Sequence, residues 1–205
     1  MDSKQNGLSD HTGILVLAAG RSSRLGRPKQ LLVVDDLTLL KHSLRAAESS
    51  IAAHIRVVLG AYSAAVGSET VGGRTRAVIN PHWEEGISSS IRYGLAALAE
   101  DDPSITGVVL MVCDQPGVTA GLLNQLIAMH RETGRKIVAS AYAGTVGTPV
   151  FFHRSLFPEL LELTGDTGGK TVILSHLADL ASVDFPDGTN DIDTEADYLK
   201  IIKEG

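Results

Sequence analysis

Four cations, Arg21, Arg24, Arg27 and Lys29, fall within nine positions, directly after an apolar run from Gly13 to Ala19 that stops at Gly20. The full stretch reads Leu17-Ala18-Ala19-Gly20-Arg21-Ser22-Ser23-Arg24-Leu25-Gly26-Arg27-Pro28-Lys29. Small residues at the end of a buried strand let backbone N–H groups approach an anion, and Arg and Lys neutralise its charge. The chemistry this suggests is the binding of a phosphate-rich small molecule, a nucleoside triphosphate above all. A solvated surface loop would carry the same residue types.

Asp114 is the second candidate. It ends the strongest apolar run, Gly107 to Cys113, and Pro116 then prevents the strand from continuing. A carboxylate at a strand tip can hold a hard cation such as Mg²⁺, which takes oxygen ligands; a strand-end Asp can equally cap the next turn. In Asn190-Asp191-Ile192-Asp193-Thr194, Asp191 and Asp193 share one side of an extended segment and could add carboxylates to the same ion. Alone, that segment reads as a helix-entry cap. Gly86 permits close backbone approach, and Ser90 lies in a serine-rich helix start after Asn80; together they suit the edge of a nucleobase, although Ser88 would serve as a plain N-cap.

The elements that must carry these residues alternate strand and helix. Strands are expected at Ile14–Ala19, Ile55–Leu59, Ala77–Ile79, Gly107–Cys113 and Lys136–Ala141. Helices are expected after Thr38, over Tyr62–Glu69, Ser88–Ala99 and Leu122–His130, and over Ser155–Leu163, Gly169–His176 and Thr194–Ile202. Gly144 to Phe152 reads as a loop entering a short strand, and Ala181–Phe185 as an edge strand. Such alternation implies a three-layer α/β/α sandwich around a mostly parallel sheet, with ligands beyond the carboxyl ends of the strands. Gly20, Asn80 and Asp114 each follow a strand and so converge on that rim.

Composition narrows the classes. The chain has 205 residues, 43% hydrophobic, which suits one domain over 13–205 behind a polar tail over 1–12. A net charge of −6 disfavours nucleic acid as a partner. The one cysteine, Cys113, excludes an intrachain disulfide and reads as a core residue; with no signal or membrane segment the expectation is a cytoplasmic protein. No Gly-x-Gly-x-x-Gly follows the first strand, which speaks against a dinucleotide-dependent oxidoreductase. Gly168-Gly169-Lys170-Thr171 lacks the glycine and strand of a P-loop, leaving Lys170 a surface lysine. The seven histidines show no zinc-like spacing, and no Gly-x-Ser-x-Gly elbow is present.

Taken together, these residues resemble the nucleotidyltransferase superfamily of molybdenum-cofactor enzymes. Its opening Leu-Ala-(Ala/Gly)-Gly-x-Ser-x-Arg-(Met/Phe/Leu)-Gly-x-x-Lys is matched from Leu17 to Lys29. Cys113-Asp114-Gln115-Pro116, Gly147-Thr148-Pro149, Gly165-Asp166-Thr167-Gly168 and Asp191-Ile192-Asp193-Thr194 follow in the family's order. Ala19 and Gly86-x-Ser-Ser-Ser90 are similar to the cytidylyltransferase branch. The family often has Pro after the closing Thr, and this chain has Glu195. The resemblance implies a sheet of the nucleotide-diphospho-sugar transferase type and CMP transfer from CTP to the terminal phosphate of molybdopterin, with pyrophosphate released. It further implies nucleotide contacts from Leu17, Ala18, Ala19, Gly20, Arg21, Ser22, Lys29, Gly86 and Ser90. Arg24, Lys29 and Asp114 are implied to be catalytic, and Mg²⁺ to lie on Asp114 near Asp191 and Asp193. A molybdoenzyme or its maturation factor is the implied protein partner. Transfer to a sugar or polyol phosphate, and a non-catalytic nucleotide-binding cofactor chaperone, stand as alternatives.

Overall fold

The computed structural model describes residues 11–204, so the tail expected over 1–12 lies, except for His11 and Thr12, outside the described residues. Strand β1, Thr12–Ala18, is buried along its whole length. Alternation sends Ile14, Val16 and Ala18 into the core on one face of the sheet and Leu15 and Leu17 into the core on the other. That is the pattern of a strand covered on both sides, and it explains the continuous apolar run.

The chain continues through β2 (Val33–Val34), β3 (Leu37–Thr38), α1 (Leu39–Glu48), β4 (His54–Leu59), α2 (Ser63–Val66), β5 (Arg76–Ile79), α3 (Ile87–Asp101) and β6 (Gly107–Val112). It then forms α4 (Ala120–Thr133), β7 (Ile137–Tyr142), β8 (Thr145–His153), α5 (Phe157–Glu162), α6 (Lys170–Ser175), β9 (Leu180–Asp184) and α7 (Glu195–Glu204). Seven strands form one sheet in the order β5-β4-β1-β6-β8-β7-β9. The β1–β4, β1–β6, β4–β5 and β7–β9 pairs are parallel; β8 alone runs against its neighbours β6 and β7. Helices α1 and α4 pack on one face through Leu40, Leu44, Leu123 and Ile127. Helices α3, α5 and α6 pack on the other through Ile91, Leu98, Leu160 and Ile173. The fold is the expected three-layer α/β sandwich with a mostly parallel sheet. Thr38 caps α1 by accepting the Lys41 N–H at 3.2 Å, as its position before the periodic run predicts. Among the described residues no helix is long and apolar enough to cross a membrane.

Two expectations are corrected. The segment Gly144–Phe152 is the body of β8, a nine-residue strand. It turns back from β7 through Ala143 and Gly144, at φ 46° and 73°, the left-handed pair that a two-residue hairpin requires. Gly144, Gly147 and Pro149 look like breakers in sequence, but Pro149 lies where β8 and β7 shift register and so interrupts no regular ladder. The helix expected over Tyr62–Glu69 is one α turn, Ser63–Val66, and then a 3-10 turn from Gly67, a residue with little preference for continuing an α-helix.

Two fastenings hold opposite ends of the sheet. At the far end of the sheet, Asp101 at the foot of α3 accepts two N–H bonds from Arg56 on β4, at 2.7 and 2.6 Å, and one from Arg76 on β5 at 3.0 Å. Its side chain is 8% exposed. Burial raises the pKa of this carboxyl, and the bonds and charge of Arg56 and Arg76 more than reverse that, leaving it below 3.8. Asp101→Asn is therefore expected to cost about 2 kcal/mol at pH 7, below the range for a fully buried pair because Arg76 is solvated. A carboxyl with a depressed folded pKa contributes its stability above the unfolded value and loses it as pH falls. Urea unfolding should show the difference from the unaltered protein intact at pH 7 and shrinking below about pH 4.

The second fastening is at the rim itself. A satellite core of Leu32, Val34, Leu39 and Ile192, with Leu25, Tyr198 and Ile201 against it, joins α7 to the segment that follows β1. Arg27 bonds both carboxylate oxygens of Glu195, at 2.9 and 2.8 Å, and the Tyr198 hydroxyl donates to Val33 O at 2.9 Å.

Candidate functional site

The parallel strands end at one rim, and the loops leaving them enclose a cleft of about 670 Å³. The loop after β1 forms one wall. Ser22, at φ 53°, starts a turn in which its carbonyl accepts the N–H groups of Leu25 and Gly26, at 3.0 and 3.2 Å. Its hydroxyl accepts the Lys29 N–H at 3.1 Å. Ser22 thus folds the loop back so that Lys29 returns beside the strand it left.

Lys29 meets the end of β6 there. Its Nζ donates to Asp114 Oδ2 and, at 3.0 Å, to Asp193 Oδ1. Arg24 pairs with the other Asp193 oxygen at 3.1 Å. The backbone joins the same two segments, because Ile192 N–H donates to Asp114 O at 3.0 Å. The Lys29 and Asp114 side chains are 17% and 14% exposed. Burial works to lower the Lys29 pKa, but the charge and hydrogen bond of Asp114 outweigh it, and the ammonium is held above its ordinary range. An ammonium has three N–H donors; two are placed on carboxylates here.

Asp114 Oδ1 is buried with no partner, one of two such side-chain atoms among the described residues; the other is Gln30 Oε1. A buried acceptor left unpaired costs about 1–3 kcal/mol, and a cation beside Oδ1 would remove that cost. Asp191 is within electrostatic reach: desolvation pushes its pKa up, and the neighbouring Asp114 and Asp193 charges add to the rise. Yet no three His, Cys, Asp or Glu side chains among the described residues stand together closely enough to hold a metal ion. Asp114, Asp191 and Asp193 are therefore not a ready cage. One unpaired carboxylate oxygen fits a hard cation whose remaining ligands are substrate phosphates and water, the usual manner of Mg²⁺.

The opposite wall comes from β5 and α3. Asn80, fully buried, donates from Nδ2 to the hydroxyls of Ser89 (2.8 Å) and Ser90 (3.1 Å) and accepts the His82 N–H at 2.8 Å. Asn80 thus shapes the wall and does not line it. Gly86 has φ 102°, a region glycine enters without strain. A Cβ there would strike the Gly165 backbone and lie 2.6 Å from Asp166 Oδ1. The Gly165–Asp166 turn closes on Gly86 and is fixed by the Ser88 N–H donating to Gly165 O at 3.2 Å. Trp83 stands over Gly60, where a Cβ would lie 2.7 Å from Trp83 Cβ and 2.8 Å from Ala19 Cβ. Ala19 and Trp83 thus both crowd Gly60, and both line the cleft.

Of the residues singled out by sequence, Leu17, Ala18, Ala19, Gly20, Arg21, Lys29, Gly86, Ser90 and Asp114 line one cleft. Ser22, Arg24, Asp191 and Asp193 stand outside its wall; Ser22, Arg24 and Asp193 connect to it through Lys29. Ser23 lines the cleft beside Arg21. Sequence reasoning missed Gln30 and Trp83; a single tryptophan beside Gly86 was the available signal for the second. Cys113 lines the floor, but burial and the Asp114 charge push its thiol up to about 12, so it is no nucleophile at neutral pH. Lys170 lies outside the cleft and reaches Thr145 at 3.4 Å on the surface.

Comparison with known proteins converges on one group. The sequence pattern of the MobA-like NTP transferase domain matches residues 14–180. The purine catabolism protein PucB of Bacillus subtilis is 28% identical over 194 residues, covering 89% of this chain and 91% of its own. Nicotine blue oxidoreductase of Paenarthrobacter nicotinovorans is 29% identical over 202 residues, covering 93% and 96%. The crystal structure of Rv0371c from Mycobacterium tuberculosis superposes with a TM-score of 0.82 at 32% identity, over 95% of this chain and 99% of that one. A second structure of Rv0371c, in complex with manganese, gives a TM-score of 0.75.

Proposed function

We propose, from the premise that the chain belongs to the MobA-like NTP transferase family, that it transfers CMP from CTP to the terminal phosphate of molybdopterin and releases pyrophosphate. The observation that carries this reading is the Lys29–Asp114 pair, set in the same cleft as the glycine-bearing loop after β1. It brings a cation, a carboxylate with a free oxygen and small-residue backbone to one place, the set a polyphosphate requires. Ala19 and Gly86-to-Ser90, which resemble the cytidylyltransferase branch, support a pyrimidine base, and Ala19, Gly86 and Ser90 line the same cleft. The manganese complex of Rv0371c supports a divalent metal, and Asp114 would hold it. Molybdopterin as the acceptor is supported by the motif resemblance that runs from Leu17 to Thr194.

In the reaction an oxygen of the acceptor's phosphate bonds to the α-phosphorus of the nucleotide. The bond from that phosphorus to the oxygen bridging the β-phosphate breaks, and its electrons leave with pyrophosphate. A phosphomonoester has a second pKa of about 6, so its oxygen is already anionic at neutral pH and no general base is required. A divalent metal, when bound, supplies charge neutralisation across the phosphates. The chain's own task is positioning and electrostatics. The loop after β1 presents backbone donors, Lys29 offers its third N–H, and Arg24 offsets the Asp193 carboxylate, which leaves more of the Lys29 charge for the phosphates. The Gly86–Ser90 wall and Trp83 hold the base out of water.

The test is pyrophosphate release with CTP, GTP, UTP and ATP, each with and without molybdopterin. Release only with CTP and molybdopterin together is the expected result. Release with sugar or polyol phosphates in place of molybdopterin would reassign the acceptor. Nucleotide binding without release in every arm would make the protein a carrier.

A further inference from the structure

Gln30 is a buried polar side chain of the cleft wall that takes no part in the reaction above. It is 1% exposed and lies in the 3-10 turn Lys29–Leu31. Its Nε2 donates to Ala18 O at 2.8 Å and to Gly20 O at 3.0 Å. The carbonyl between them, Ala19 O, accepts the Ala61 N–H at 3.1 Å. Three successive peptide carbonyls at the exit from β1 are thus held by the protein itself.

A trans peptide is planar, with its N–H turned opposite to its C=O. Holding the Ala18 and Gly20 carbonyls on Gln30 therefore turns the N–H groups of Ala19 and Arg21 away from Gln30. Holding Ala19 O on Ala61 turns the Gly20 N–H the opposite way, away from Ala61, so only the Ala19 and Arg21 N–H groups share a direction set by Gln30. Ala19, Gly20 and Arg21 all line the cleft. Because one amide bonds both outer carbonyls, their peptide planes are oriented together.

The other half of the same amide has no such task. Gln30 Oε1 is buried and unpaired. An apolar side chain of equal length would fill the space without that loss, so what distinguishes glutamine at this position is its pair of N–H donors. They are spent on the loop alone, one residue after Lys29.

We propose that Gln30 is a positioning residue: by holding the Ala18 and Gly20 carbonyls it sets the Ala19 and Arg21 N–H groups for the phosphates of a nucleoside triphosphate without touching them. This rests on the nucleotide-binding reading given above. Gln30→Met keeps the length and removes the donors. Gln30→Glu sets a carboxylate against the Ala18 and Gly20 carbonyls and adds negative charge behind the phosphates. Trp83 is the only tryptophan of the chain and lines the cleft, so its fluorescence reads occupancy during titration with magnesium–CTP.

The full chain with Gln30→Met should bind CTP about tenfold more weakly, the loss expected from two misdirected hydrogen bonds, while melting within a few degrees of the unaltered protein. In turnover the change should appear in KM for CTP, with kcat within about threefold. Gln30→Glu should lose about a hundredfold or more in affinity. Equal CTP affinity of Gln30→Met and the unaltered protein overturns this inference alone. So does a weakened affinity matched by a melting temperature lowered to the assay temperature, since Gln30 would then be a plain structural residue. No binding of any nucleoside triphosphate by the unaltered protein overturns the nucleotide reading and this inference with it.

Discussion

Asp114→Asn should lower single-turnover pyrophosphate release by about 10²–10³-fold, the loss of about 2.7–4 kcal/mol that follows removal of one transition-state stabilising group. The substitution keeps the shape of the side chain and removes its charge. Oδ1, buried and unpaired, is the oxygen best placed to receive a cation, and an amide is a far weaker ligand for a hard ion. Lys29 loses its strongest partner at the same time. Burial then acts on the ammonium with only Asp193 opposing it, so its pKa should fall. The fold should survive, because β6 is anchored by Val108, Val109, Leu110 and Met111, each at most 1% exposed. Manganese binding in the presence of CTP, followed by electron paramagnetic resonance, should fall in parallel with turnover. Unchanged metal binding and unchanged release would refute the role given to Asp114.

Lys29→Met should reduce kcat/KM for CTP by a similar factor, about 10²–10³. Methionine preserves the packing of the lysine stem, so the loss isolates the charge. The variant also has a distinct pH signature. The raised Lys29 pKa means the lysine contributes stability throughout the range below its ordinary 10.5 and loses it only as pH rises through the folded value. The stability difference between the variant and the unaltered protein should therefore be full at pH 7. Without the ammonium, Asp114 loses its cation and Asp193 keeps only Arg24. Denaturant unfolding at pH 7 and 9 reads this directly: the difference should be full at both, and a difference already lost at pH 9 would show that these acids do not hold the ammonium charged.

The sequence made the central strands and the rim legible for a simple physical reason. A strand covered on both faces must be apolar throughout, so β1 and β6 stand out, and their polar successors Gly20 and Asp114 fall at the same end of a parallel sheet. The meeting of Lys29 with Asp114 follows from that rule plus a loop short enough to return. Other features had no such signal. β8 hides its strand character behind Gly144, Gly147 and Pro149, each serving a turn or a close contact. The β2–β3 hairpin turns on Asp35 and Asp36 at φ 45° and 64°, a pair with none of the glycine that usually marks such turns. Gln30 carries no signal in the sequence, because its burial is made tolerable by two carbonyl partners ten and twelve residues away. Asn80 was placed at the rim correctly, but its bonds to Ser89 and Ser90 give it a supporting task that spacing alone does not disclose.

The brace between α7 and the loop after β1 bears on how the protein comes into being on the ribosome. Arg27, Leu32, Val33 and Val34 are translated well over a hundred residues before their partners Ile192, Glu195, Tyr198 and Ile201. A nascent chain can assemble β1, β4 and β6 long before those residues emerge from the exit tunnel, and until then Lys29 and Arg24 lack Asp193 as well. Competence is thus postponed until the segment from residue 191 onward has been made, and a chain cut short before residue 191 should fold much of its sheet and remain inert.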